Sequence, residues 1–219
     1  MKRWILTAAA VAVIGAFLLF TVPKDSARAQ DQQPRFPQLQ MDQLNAQQRP
    51  LAEQILKVSS IGLGGPYNTF LRSPVLGERM FSLLDYLRFH TSVPRRLNEF
   101  AILIQARQWT SQVEWDAHYP LAIKAGLSKA VADELKQGKR PTSMRPDEAA
   151  VYDFCMEASS KSGVNDATFR RARKFLTDQQ LVDLTMVSGT YSSLAMLMNM
   201  AEQGLPPGRT PPLERLPAR

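Results

Sequence analysis

The 219-residue chain contains two histidines, and one of them, His118, follows Glu114 by four positions. Ser111 precedes that glutamate by three, so on a helix Ser111, Glu114 and His118 share one face. A carboxylate one helical turn from an imidazole is a workable acid/base pair, because it fixes the tautomer and stabilises the imidazolium. The same spacing has two plainer readings. Ser111-x-x-Glu114 is also a capping box, which opens a helix without any chemistry. Glu114 and His118 would equally serve as an ordinary surface pair, a common arrangement on helices. Just upstream, Arg107 offers a planar fork for a substrate carboxylate, or for a surface salt bridge.

The window from Arg95 to His118 carries more than this spacing. Glu99 stands twelve residues before Ser111, and Ser111-x-x-Glu114-x-x-x-His118 follows. Upstream lie Gly65-Pro66-Tyr67-Asn68-Thr69-Phe70 and Ser73-Pro74; downstream lie Trp115, beside Glu114, and Ala125-Gly126-Leu127. In order and spacing these pieces resemble the carboxymuconolactone decarboxylase-like branch of the alkylhydroperoxidase-D-like superfamily, over about residues 60–205. The superfamily's active-site pattern is a glutamate, then twelve residues on a Cys-x-x-Cys-x-x-x-His. Here both cysteines are replaced, by Ser111 and Glu114.

The resemblance implies an all-α bundle and a site in which Glu99, Glu114 and His118 converge as catalytic groups. Tyr67, His90, Arg107 and Trp115 are the residues it suggests for substrate binding. The departure from the pattern excludes the peroxidase chemistry of the Cys-containing branch. Serine is a poor nucleophile toward peroxide, and a carboxylate forms no disulfide. What remains suits proton transfer beside a carbonyl. In a lactone decarboxylase, loss of CO₂ leaves a carbanion that a general acid protonates, and His118 is the candidate acid. The expected function is cofactor-free acid/base chemistry on a small carboxylic acid or lactone, that is, a lyase. A non-catalytic exported binding or assembly protein on the same fold is the alternative. No metal-ligand spacing joins His90, His118, Glu99 and Glu114. Relatives of this superfamily assemble as trimers or multiples of them, so a homotrimer or hexamer is expected.

These groups need helices to hold them, and the period of the chain is helical almost throughout. Segments are expected from Leu51 to Ile61, from Ser73-Pro74 to about His90, and from Ser92-Val93-Pro94 to Trp109. Others run from Ser111 to Ala125, from Ser128 to about Gln137, from Asp147 to Ser160, and from Asp166 to Phe175. The last, Asp178 to Glu202, is apolar on most faces and reads as buried within or between subunits. The domain is set at 51–204, between a Gln/Pro-rich linker at 30–50 and a Pro-rich tail at 205–219, the latter free or laid on a neighbouring subunit.

The N-terminus reads as an export signal. Lys2 and Arg3 precede an uncharged apolar run from Trp4 to Val22, and Ala27-Arg28-Ala29 suits signal peptidase. The run is also long enough to remain as an inner-membrane anchor through residues 4–22. Loss of residues 1–29 removes four basic residues and one acidic one, lowering the net charge from +7 to +4. Arg170, Arg171, Arg173 and Lys174 point in several directions on a helix, so no nucleic-acid partner is expected. The single cysteine, Cys155, sits in an apolar helix and reads as a buried small hydrophobe. Expressed with its leader in a Gram-negative host, the protein should be periplasmic, begin at Gln30 and need no detergent for release. Recovery only in detergent with Met1 intact would establish the anchor.

Overall fold

A computed structural model describes residues 34–59 and 61–216, so the leader and anchor expected over residues 1–29 lie outside the described part. After a 3-10 turn at Met41–Gln43 come α1 (Arg49–Val58), α2 (Pro66–Phe70) and α3 (Pro74–Asp85). A π-helical turn, Tyr86–His90, extends α3. Then follow α4 (Arg95–Gln108), α5 (Gln112–Lys124), α6 (Lys129–Lys136), α7 (Pro146–Ala158), α8 (Asp166–Ala172) and α9 (Asp178–Met200). Among the described residues there is no strand. The all-α expectation holds.

The helix starts show how local chemistry sets these boundaries. Asn165 accepts from the amides of Ala167 and Thr168 to open α8. Thr177 and Gln180 form a reciprocal capping box at the start of α9. Pro74 and Pro146 sit at the first helical position, where a missing amide hydrogen costs nothing.

α4 is the axis of the bundle. α5, α6, α7 and α9 all pack against it, and every residue from Leu97 to Arg107 is buried. Its apolar side chains Phe100, Ile102, Leu103 and Ile104 are wholly enclosed. At about 1.5–3 kcal/mol per fully buried large side chain, this helix is the main hydrophobic contributor to the fold. Arg96 ties its first turn to α7 through Asp147, at 2.6 Å, and Glu148. α9 buries Leu184, Val187, Leu194 and Met198 on one side and exposes Val182, Met186, Met196 and Met200 on the other. It is long and apolar enough to cross a membrane, but half of it is core.

Two segments that composition marked as linker and tail pack on the domain in their described parts. Leu44 is buried, and Leu39 exchanges two 2.9 Å hydrogen bonds with the side chain of Asn68. At the other end, Gln112 exchanges bonds of 2.8 and 2.9 Å with the backbone of Leu213, which is buried. Arg209 pairs with Asp116 at 2.7 Å. Each strap is anchored by one amide side chain that mimics a strand neighbour. The described tail residues thus lie on their own domain.

Gly77 fixes the approach of α3 to α1 and α2. A Cβ there would stand 2.7 Å from Leu51 and 2.8 Å from the Phe70 carbonyl oxygen. Alanine would gain helix propensity of up to about 1 kcal/mol. The backbone clash outweighs it, because a carbonyl in a packed turn has nowhere to go. Gly77→Ala should therefore lower stability by about 1–3 kcal/mol. Urea denaturation measures it, and an unchanged midpoint would refute the close approach.

Candidate active site

Glu99 enters from the second turn of α4, and His118 faces it from the middle of α5. The imidazole Nδ1 lies 2.8 Å from Glu99 Oε2, with both side chains at least nine-tenths buried. A carboxylate only accepts, so Nδ1 carries the proton and donates. Arg95, one turn before Glu99 on α4, places its guanidinium 3.1 Å from Oε1. The ring of Tyr191, from α9, stands edge-on to the imidazole with centroids 5.1 Å apart. Histidine is thus clamped between a charged acceptor and an aromatic edge.

The pairing differs from the one that helical spacing suggests. Glu114 shares the face of His118 on α5, yet it makes no hydrogen bond to it. Both Glu114 oxygens are buried without a partner among the described residues, and so is Ser111 Oγ. Ser111 is the N-cap residue of α5 by position, but its side chain makes no capping bond. The capping box is not formed. A weak interaction with Ser111 favours the charged form of Glu114, but burial dominates and pushes its carboxyl up to about 8. At neutral pH Glu114 is therefore mostly a neutral acid beside the dyad.

The other expected residues divide. Tyr67, from α2, is buried, and its hydroxyl accepts from Arg88 Nη1 at 3.2 Å. Trp115 is buried too, but it stacks on Tyr119 with centroids 6.0 Å apart. His90 is exposed at the end of the π-helical turn and pairs with Asp85 at 3.2 Å. Arg107 is buried beneath the C-terminal strap, where Nη2 donates to the Glu214 carbonyl at 2.7 Å. It is neither a surface salt bridge nor open to a ligand. Among the described residues no three His, Cys, Asp or Glu side chains gather as a metal site. Cys155 is fully enclosed, and burial pushes its thiol up to about 12.

Tyr191 and Arg88 were not among the residues singled out from sequence. Burial raises the Tyr191 hydroxyl far above its ordinary range, Arg88 opposes the rise, and the nearby carboxyls of Glu99 and Glu114 add to it. These side chains therefore share one electrostatic neighbourhood. A lone tyrosine in the apolar run of α9 was the available signal for Tyr191.

The fold is similar to the crystal structure of an alkylhydroperoxidase-D core, an uncharacterized peroxidase-related protein from Ralstonia eutropha. The TM-score is 0.65 at 18% identity, over 78% of this chain and 90% of that one. The chain has the alkylhydroperoxidase-D-like fold. Neither models of known families nor curated proteins match the sequence.

Glu114 makes a prediction with a definite sign. In the unfolded chain its carboxyl ionises near 4.5, and in the fold near 8. Between those values the native state holds a proton that the unfolded state has lost, so stability falls as pH rises. The contribution is intact below 4.5 and lost as pH climbs through about 8. Glu114→Gln removes this titration while keeping the shape. Its melting temperature relative to wild type should rise between about pH 5 and pH 9, by several degrees. A pH-independent difference would show that Glu114 is not buried as a neutral acid.

Proposed function

We propose that the chain is a cofactor-free, carboxymuconolactone decarboxylase-like lyase that moves a proton beside the carbonyl of a small carboxylic acid or lactone. The observation that carries this reading is the buried 2.8 Å bond between His118 Nδ1 and Glu99. Had the pattern served only to cap α5, Ser111 and Glu114 would be satisfied and His118 would face water. Instead the cap is unmade and the imidazole is enclosed.

The chemistry follows from the tautomer. With Nδ1–H held by Glu99, Nε2 is the free base, and Glu99 stabilises the imidazolium that forms when Nε2 takes a proton. In a decarboxylation, Nε2 takes the proton of the substrate's carboxylic acid, the bond to that carboxylate then breaks, CO₂ leaves, and the electron pair stays on carbon as an enolate. The imidazolium then gives its Nε2 proton to that carbon. Tyr191 and Glu114 are both held neutral by burial, so each has a proton to offer to an enolate oxygen. Export through the N-terminal leader and assembly as a homotrimer or hexamer belong to the same proposal. The exposed side of α9, with Val182, Met186, Met196 and Met200, supports self-association.

Proton transfer is observable without knowing the physiological substrate. In D₂O, the wild type should exchange the hydrogen next to the carbonyl of small lactones and keto acids, followed by proton NMR. His118→Gln should slow this by about a hundredfold or more, and Glu99→Gln nearly as much. Exchange by His118→Gln at the wild-type rate would refute the assignment.

A further inference from the structure

α4 opens on two adjacent arginines, and neither sits where helix stability would place it. Arg95 and Arg96 occupy its first turn, which carries no acidic residue. The N-terminal end of a helix carries partial positive charge, so a cation there is unfavourable. An arginine four residues before a glutamate is also the weaker order for a helical ion pair. Each arginine therefore answers to something other than the helix. Arg96 is turned to α7, where Asp147 and Glu148 take it. Arg95 is turned to the dyad. Its Nη2 stands 3.1 Å from Glu99 Oε1, while Oε2 of the same carboxylate accepts from His118 Nδ1 at 2.8 Å.

This contact differs from an ordinary surface ion pair, in which water screens both partners and little is gained. Here the arginine side chain is 48% exposed and the glutamate side chain 4%. The charge of Arg95 thus acts on a carboxylate that has left water, where screening is weak. Other charged and titratable groups surround the imidazole. Glu114 lies on its own helix, and Tyr191 stands edge-on from α9. Tyr67 of α2 and Arg88 of the π-helical turn act on Tyr191 in turn. Among the described residues, Arg95 is the only arginine or lysine within ion-pair reach of Glu99.

We propose that Arg95 is the positioning residue of the dyad, fixing the rotation of the Glu99 carboxylate and holding the His118–Glu99 pair in the state whose Nε2 is bare. The first effect is geometric. With Oε1 held from outside, Oε2 is the oxygen left for Nδ1. The second is electrostatic. A cation beside the pair opposes the arrival of one more proton, whether that proton settles on the imidazole or on the carboxylate. Arg95 acts through Glu99, so its loss should leave the imidazole in place and make the pair easier to protonate. The inference rests on the acid/base reading for the use made of the bare Nε2, but proton uptake is measured without turnover.

The full chain carrying His90→Asn has one histidine, and nitrogen-15 NMR of its ring follows proton uptake against pH. Replacing Arg95 by methionine keeps much of the stem and removes the charge. In Arg95→Met the pair should take up its proton at a pH higher by about half a unit or more than in the Arg95 parent. Arg95→Lys, which returns the charge without the planar fork, should move partway back. Half the Arg95 side chain is in water, so both variants should fold, and a thermal melt checks them. A purely structural arginine would lower the melting temperature and leave the titration where it was. Coincidence of Arg95→Met with its parent, a shift to lower pH, or an equal shift in Arg95→Lys would overturn the proposal. If the shift appears while the wild type exchanges no hydrogen beside a carbonyl, Arg95 keeps its role and the lyase reading falls.

Discussion

α4 lies inside the bundle on every side, yet it carries Asn98, Glu99, Gln105 and Arg107. A buried polar group without a partner costs about 1–3 kcal/mol, and a buried charge more. Each of the four reaches a partner on another element, while Asn98 Oδ1, Gln105 Nε2 and Arg107 Nε and Nη1 stay without one among the described residues. Asn98 takes the Leu87 carbonyl and thereby holds the π-helical turn. Gln105 accepts from the hydroxyls of Ser159 and Ser192, joining α7 and α9 to the axis. Arg107 takes the Glu214 carbonyl and draws the C-terminal strap across the domain. Glu99 takes His118, with Arg95 on its other oxygen. Structural and chemical demands coincide at that last pair.

That coincidence explains why the site sits deep rather than at a loop tip. The same burial that obliges Glu99 to find a partner excludes water from the imidazole and keeps Tyr191 and Glu114 uncharged. Low dielectric strengthens each electrostatic contact in the cluster. The one cysteine is enclosed in α7 with its thiol held protonated, and Ser111 and Glu114 bring a hydroxyl and a neutral carboxyl to the start of α5. Proton movement is what this inventory supports.

Much of the helical frame was legible in the sequence because its signals are local. Proline and glycine punctuation and the helical period located α1 and α3 to α9, with ends shifted by a few residues. The partner of His118 was not legible from spacing. The i, i+4 relation puts Glu114 on the right face, but which carboxylate reaches the ring depends on how α4 and α5 cross. The π-helical turn hid Arg88 for a similar reason: an ordinary helical reading to His90 offers a histidine, while the wider turn leaves His90 outside. The packing of the straps was not legible because single apolar anchors, Leu44 and Leu213, leave no period among polar and proline residues. Arg107 looked like a surface cation because its partner is a carbonyl more than a hundred residues away.

The central claim is the bond between His118 and Glu99, and nitrogen-15 NMR of histidine tests it directly. With two histidines in the chain, a His90→Asn variant assigns the resonances without ambiguity. The account predicts an Nδ1-bound proton on His118, strongly deshielded and slow to exchange, which disappears in Glu99→Gln. A ring protonated on Nε2 alone and exchanging freely with water would contradict it.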